Sequence, residues 1–209
     1  MMNRMNRLFV PLVALVAPLV LGSCNKLLDE QPDERVLLTS ADKIRRILVN
    51  AYPLTSYAYA CEMSTDNLDD YGTDNPHFTK FTYDLAYWND GPEYNSSDGL
   101  RALWRAHYLS IQHANAALKA IDELGGGSEL AAAKGEALVI RAYAHFVLVN
   151  LFGKHYNSTT STKDLGVPYM TAPEETLDPK YTRNTVAEVY AAIDKDLTEG
   201  LPLISDSFY

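Results

Sequence analysis

Cysteine is nearly missing from this sequence: Cys24 and Cys61 are the only two in 209 residues. Positive charge is also short, with 18 Lys and Arg against 27 Asp and Glu, for a formal net charge of −9. A chain this acidic has no electrostatic footprint for nucleic acid and no polybasic patch for an anionic lipid surface. The usual catalytic patterns are missing as well. There is no His-Glu-x-x-His, no Cys-x-x-Cys and no Gly-x-Ser-x-Gly. His107 and His113 do not share a helix face, and no pair of carboxylates is placed recognisably for glycoside hydrolysis. Gly125-Gly126-Gly127-Ser128 lacks the Lys-Ser/Thr of a phosphate loop, so it reads as helix punctuation. The expectation is a protein that performs no catalysis and holds no metal or cofactor.

What is present is helical. Between Ser128 and Gly153 apolar or small residues recur at 130, 133, 137, 140, 144, 147, 148 and 151, the spacing of one helix face. From Ala137 to Phe152 the polar exceptions are Arg141, His145 and Asn150. A helix so apolar has to be covered on several sides by other helices. Glu136, Arg141 and His145 interrupt it too often for a membrane span. From Leu100 to Leu124 a second stripe runs through Leu103, Trp104, His107, Tyr108, Ile111, Ala114, Asn115, Leu118 and Ile121. The glycine-rich connection makes the two helices an antiparallel hairpin, the unit of tetratricopeptide-like arrays. Both helices are longer than a standard repeat allows. Arg141, His145 and Asn115 read as satisfied polar groups of the core.

At the N-terminus, Arg4 and Arg7 precede an apolar run from Leu8 to Val20, which ends in Leu21-Gly22-Ser23-Cys24. A basic segment, a short apolar segment and small residues describe a secretory signal peptide over 1–23. Pro11 and Pro18 and the shortness of the run argue against a transmembrane helix. Leu-Gly-Ser-Cys looks like a lipobox, which makes Cys24 the lipidated mature N-terminus. The alternative is an ordinary signal peptide that happens to contain a cysteine. Several acyl chains on one cysteine hold a protein stably at a membrane, where one holds it only marginally. Cys61 is then without a partner and no disulfide is expected; it reads as a small buried hydrophobe, with a reactive thiol as the alternative.

Residues 24–38 form a charged tether, and 39–209 the folded domain. Ser40 or Thr39 opens a helix with Ile44, Ile47, Leu48 and Ala51 on its face and Pro53 beyond it. Leu54 to Gly99 lacks sustained helical periodicity and is rich in Tyr, Asp, Asn, Gly and Pro. Its aromatics argue for an ordered, functional insert. His155 to Arg183 is another long loop. Thr185 then opens a helix through a capping box with Glu188, and Val186, Val189, Tyr190, Ile193 and Leu197 form its stripe. Gly200 is placed at the C′ position of that helix, before Pro202.

Several of these features occur in a specific order. The lipobox precedes Leu27-Leu28-Asp29-Glu30-Gln31-Pro32, then Trp104, Tyr108 and Asn115 on the hairpin. Glu136-Ala137, Arg141-Ala142-Tyr143, Phe146, Leu148 and Leu151-Phe152-Gly153 follow, then Gly166-Val167-Pro168, Arg183, Thr185, Val186 and Glu188-Val189-Tyr190. From about Leu21 to Pro202 the chain resembles the N-terminal half of the SusD/RagB family of nutrient-binding outer-membrane lipoproteins. The resemblance implies an all-α fold of tetratricopeptide-like helix pairs on the cell surface. It also implies oligosaccharide or other nutrient ligands, and a SusC-like TonB-dependent transporter as partner. Members are typically much longer, and their C-terminal half supplies part of the ligand site.

The best site candidate is the aromatic and amide stretch of Tyr83, Tyr87, Trp88 and Asn89, with Tyr94 beyond it. Flat rings cover the apolar C–H faces of a sugar while amide and carboxylate groups bond its hydroxyls. The competing reading is loop aromatics packed on the helices. Asp66, Asn67, Asp69, Asp70 and Asp74 form an oxygen-rich cluster that does not match an EF-hand order and reads as a solvated acidic loop. A helical-hairpin adaptor that binds only protein is the alternative function.

Overall fold

The computed structural model describes residues 37–74, 76, 79–89, 99–174, 176 and 179–206. Cys24, the signal peptide, nearly all of the tether and Tyr94 lie outside the described residues. Within them the fold is all-α, with one isolated antiparallel bridge between Leu165 and Thr185. Helix α1 (Ala41–Val49) opens at Ser40, whose hydroxyl accepts from the Lys43 N–H. Asp42 falls inside the first turn and pairs with Arg46 at 2.9 Å, a favourable place for an acid at a helix N-terminus. The helix ends at Asn50, whose amide donates back to the Arg46 carbonyl.

The insert from 54 to 99 is more helical than its sequence suggests. It holds α2 (Ala58–Glu62), a 3₁₀ turn (Gly72–Asp74) and α3 (Lys80–Ala86). Helices of five and seven residues are too short to display a period. The local signal for α3 is a capping box in which Thr82 takes the place of the usual Glu or Gln. The Thr79 N–H donates to the Thr82 hydroxyl, and the Thr82 N–H donates to the Thr79 hydroxyl, both at 3.1 Å. Ala60, Phe81 and Leu85 pack with Leu103, so the insert is anchored on the hairpin. Cys61, expected inside, is exposed. Its short helix turns Ala60 inward, and the next residue along a helix points elsewhere.

Helix α4 (Leu100–Glu123) and α5 (Ala131–Phe152) form the expected hairpin. Gly125 and Gly126 have positive φ, and their N–H groups bond the carbonyls of Asp122 and Ile121. That pattern is a Schellman stop, and positive φ is where glycine is nearly free of cost. The first half of α5 packs on α1 and the end of α4 through Ile44, Leu48, Ala117, Ile121, Ala133 and Ile140. Its second half packs on Ile111 and on α6 (Val186–Gly200) through Leu148, Val189 and Ile193. Leu148 is completely buried. By length and composition α5 would pass as a membrane span, but here it is the covered core helix of the bundle.

Helix α6 opens with the expected reciprocal capping box of Thr185 and Glu188. Gly200 does not act as a left-handed C′ residue. It is the last residue of α6 and has an ordinary helical φ of −81°. Its function is steric. A Cβ on Gly200 would lie 2.9 Å from the Gly135 carbonyl oxygen, and a Cβ on Gly135 would lie 2.8 Å from that of Gly200. The two glycines let α6 and α5 touch backbone to backbone, and the chain then turns through a 3₁₀ segment (Leu201–Leu203).

The long loop between α5 and α6 is held by buried polar groups. The Asn115 amide donates to the carbonyls of Met170 (3.0 Å) and Ala172 (3.2 Å). His145 Nε2 accepts from the Met170 N–H at 3.0 Å, which assigns the proton to Nδ1, donating to the Arg141 carbonyl at 2.8 Å. Burial holds the His145 imidazole down at a pKa of about 4. Its ring stacks on Tyr169 with centroids 3.8 Å apart. Arg141, His145 and Asn115 are therefore satisfied core groups, as their place in the apolar stripes implied.

Candidate functional site

Helix α3 is a short platform for aromatics. Tyr83 and Tyr87 stand four residues apart, so they share a face, and their ring centroids lie 4.5 Å apart. The Tyr87 hydroxyl donates to Asp70 Oδ2 at 2.6 Å, while Asp70 Oδ1 accepts from the Gly72 N–H at 2.7 Å. The Tyr87 hydroxyl, and then the Gly72 N–H, hold the Asp70 carboxyl below its ordinary pKa. The same hydrogen bond, followed by the charge of Asp70, raises the Tyr87 phenol. A residue from the acidic loop thereby fixes the ring of the aromatic stretch.

Between α2, the loop that follows it and α3 lies a cleft of about 520 Å³. Tyr59, Tyr83 and Tyr87 supply ring surface, and Asp66, Asp69 and Asp70 supply oxygens. No Lys, Arg or His lines it among the described residues. Acceptor oxygens beside exposed rings suit a ligand that offers hydroxyl donors and apolar C–H faces. The acidic loop is solvent-exposed, as its sequence predicts, and the tertiary structure also brings three of its aspartates to the aromatic wall. Their nearness in sequence to the aromatic run was the available signal. Among the described residues, no group of three or more His, Cys, Asp or Glu is arranged to hold a metal ion.

Trp88 does not line that cleft. It follows the helix at the position where glycine usually ends one, with a φ of +53° and 77 % of its surface exposed. The Asn89 N–H bonds the Asp84 carbonyl at 2.9 Å across it, and the Trp88 N–H bonds that of Leu85, which makes the turn a Schellman motif built on tryptophan. Left-handed backbone at a bulky residue is a strained choice. An exposed indole in that conformation packs on little of its own fold. Asn89 is partly occupied: its amide donates to Asp84 Oδ1 at 3.0 Å, and Asp84 Oδ2 meets Lys80 at 2.6 Å. The structure thus joins Tyr83 and Tyr87 in one wall, sets Trp88 next in the chain outside that wall, and ties Asn89 back to α3.

A second groove of about 400 Å³ lies between α4 and the long loop. Trp104 and Tyr181 are exposed there, beside Arg105, Gln112 and Glu174. The Tyr181 hydroxyl donates to Glu174 at 2.7 Å. On its inner side Trp104 packs on Tyr108 and edge-on against Phe152, so its place in the helical stripe is structural.

Comparison with known proteins gives two findings. The model of the SusD-like family described as "Starch-binding associating with outer membrane" matches residues 26–209. In solved structures, the fold is similar to that of a SusD superfamily protein from Bacteroides thetaiotaomicron, with a TM-score of 0.61 and 22 % identity. That likeness covers 79 % of this chain and 38 % of the other, so the match extends over well under half the length of that solved chain. No curated protein matches it.

Proposed function

The chain belongs to the SusD-like family, and from that premise we propose that it is a surface lipoprotein that binds nutrient glycans. It hands them to a SusC-like TonB-dependent transporter in the outer membrane, without catalysing any reaction. In this reading residues 1–23 are the signal peptide, Cys24 carries the lipid anchor, 24–38 is the tether and 39–209 is the helical domain. The family's own description, starch binding in association with the outer membrane, supports the ligand class and the location.

The observation that carries the reading is the exposed aromatic end of α3. Tyr83 and Tyr87 wall a cleft rich in carboxylate oxygens, and Trp88 is held in a strained, exposed conformation next to it. A sugar ring lies against the tyrosines with its hydroxyls on Asp66, Asp69 and Asp70, and a neighbouring ring stacks on Trp88. Asn89 and Tyr94 complete the proposed set. Tyr94 is included on the sequence alone.

Membrane fractionation and glycan binding test the two halves of the proposal. Cys24→Ser should move the protein from the membrane to the soluble fraction. Sedimentation of that variant with membranes in high salt would refute the anchor. Maltooligosaccharides should bind the parent and bind Trp88→Ala more weakly; equal binding at equal stability would refute the site.

A further inference from the structure

The end of α3 keeps a tryptophan where the backbone would accept glycine more readily. Trp88 has a φ of +53° and leaves 77 % of its surface exposed. A bulky residue is disfavoured in left-handed backbone, and an indole so exposed gains little packing from its own fold. Strain of this kind persists only where the surrounding groups hold it. The groups within reach belong to Asp84, one helical turn earlier.

Asp84 is only 4 % exposed, and a buried carboxylate needs charge-assisted partners. Its Oδ2 meets Lys80 Nζ at 2.6 Å, one turn back along α3. Its Oδ1 accepts from the side-chain amide of Asn89 at 3.0 Å, and its carbonyl accepts from the Asn89 N–H at 2.9 Å. Asp84 therefore grips Asn89 by side chain and main chain together, with Trp88 just before Asn89 in the chain. Were α3 to run on through Trp88, residues 84 and 89 would point about 140° apart around the helix axis, and the side-chain bond could not form. The bond exists because the chain leaves the helix through the left-handed turn at Trp88. The relation is reciprocal: the turn permits the bond, and the bond holds the turn. Asn89 is exposed and has water as an alternative partner, so what the two bonds fix is the turn. An unclamped Trp88 would relax into ordinary backbone, and ordering it again on binding would weaken affinity.

We propose that Asp84 is a positioning residue of the α3 site: it touches no ligand, and through Asn89 it holds Trp88 turned out from the helix to meet a sugar ring. Tyr87, one position earlier, is held in a similar way by Asp70, so an aspartate fixes each of these two neighbouring rings. This inference rests on the reading of Tyr83, Tyr87 and Trp88 as a glycan site.

The test uses the whole chain, NMR of its two indole N–H groups and calorimetric titration with maltoheptaose. Trp88→Ala identifies the Trp88 signal. D84N keeps the volume of the side chain, but its single amide oxygen cannot replace both carboxylate oxygens toward Lys80 and Asn89. In folded D84N the Trp88 indole should gain fast mobility, seen as a lower heteronuclear NOE, while that of Trp104 stays as in the parent. Maltoheptaose should bind D84N roughly two- to tenfold more weakly, the range for ordering one side chain on binding. The double variant D84N/W88A should bind no more weakly than Trp88→Ala alone, since Asp84 acts through Trp88. N89A removes the side-chain bond from an exposed position and serves for the NMR measurement if D84N does not fold. An unchanged Trp88 signal in the folded variant overturns the proposal, as does a further loss in the double variant. Weaker binding by Trp88→Ala with undiminished binding by D84N overturns this proposal and leaves the glycan site standing. A parent chain that does not bind maltoheptaose overturns the glycan site and this inference with it.

Discussion

Arg141 on α5 and Asp196 on α6 form a two-point ion pair inside the core, with Nε to Oδ2 at 2.7 Å and Nη2 to Oδ1 at 2.8 Å. The pair does not stand alone. Arg141 Nη1 reaches Asn115 Oδ1 on α4 at 2.9 Å, and the Tyr169 hydroxyl donates to Asp196 Oδ2 at 2.6 Å. One guanidinium therefore joins α4, α5 and α6 directly, and the long loop joins through Tyr169. Burial, the largest single influence, works to lower the Arg141 pKa, but the hydrogen bond to Asp196 and then its charge together raise it above the ordinary value. Tyr169 is raised by burial first and then by its bond to Asp196.

Removing one partner of such a pair should cost more than removing both. Asp196→Ala leaves Arg141 buried and unpaired and should lower stability by about 3–5 kcal/mol. The double variant Arg141→Met, Asp196→Leu should recover most of that loss. Urea denaturation of the parent and the two variants checks it. A loss in the single variant below about 1 kcal/mol would show that Arg141 finds water or another acceptor.

Stability should also fall with mild acid. His145 has its pKa lowered from the usual 6.5 to about 4, chiefly by burial. The unfolded chain therefore takes up a proton between those values while the folded chain does not. The contribution is whole above about pH 6.5 and is lost as the pH falls toward about 4; integrated over the window it is on the order of 3 kcal/mol. His145→Gln should flatten this part of the stability profile measured from pH 7 to pH 4.

The contact between Gly135 and Gly200 predicts a sharp positional effect. Gly200→Ala places a methyl group 2.9 Å from backbone and from Leu138 Cβ, and should cost about 1–3 kcal/mol by forcing α5 and α6 apart. Gly126→Ala meets open space but keeps a positive φ, so it should cost about 1 kcal/mol through strain alone. Melting temperatures of the two variants separate overpacking from backbone strain.

Glycan selectivity should follow the charge of the α3 cleft. With three aspartates and no base among its described lining residues, it should bind neutral maltooligosaccharides and reject polygalacturonate, with the rejection easing as salt screens the repulsion. Trp88→Ala should reduce affinity by up to roughly tenfold, the worth of a stacked ring plus some lost area. Its exposure limits the effect on stability to within about 0.5 kcal/mol. Isothermal titration and melting on the same samples check both, and tighter binding of the polyanion would remove the cleft from consideration.

The long helices were legible in the sequence because their determinants lie within a few residues of each other. The stripe through Leu130, Ala137, Ile140 and Leu148 marks the buried face of α5, and Thr185 with Glu188 marks the start of α6. The stop after α4 needs only Gly125 and Gly126. The short helices of the insert escaped because one or two turns carry no period, and Cys61 was misplaced because burial there depends on which side of α2 meets Phe81 and Leu103. Chain separation hides the remaining features. Gly135 meets Gly200, Arg141 meets Asp196 and Asp70 meets Tyr87, and no local rule relates one position of each pair to the other. Periodicity states that a face is buried, but only the packed helices decide which glycine ends a helix and which is a contact. They decide equally which acid is solvent-facing, which is paired in the core, and which helps wall a cleft.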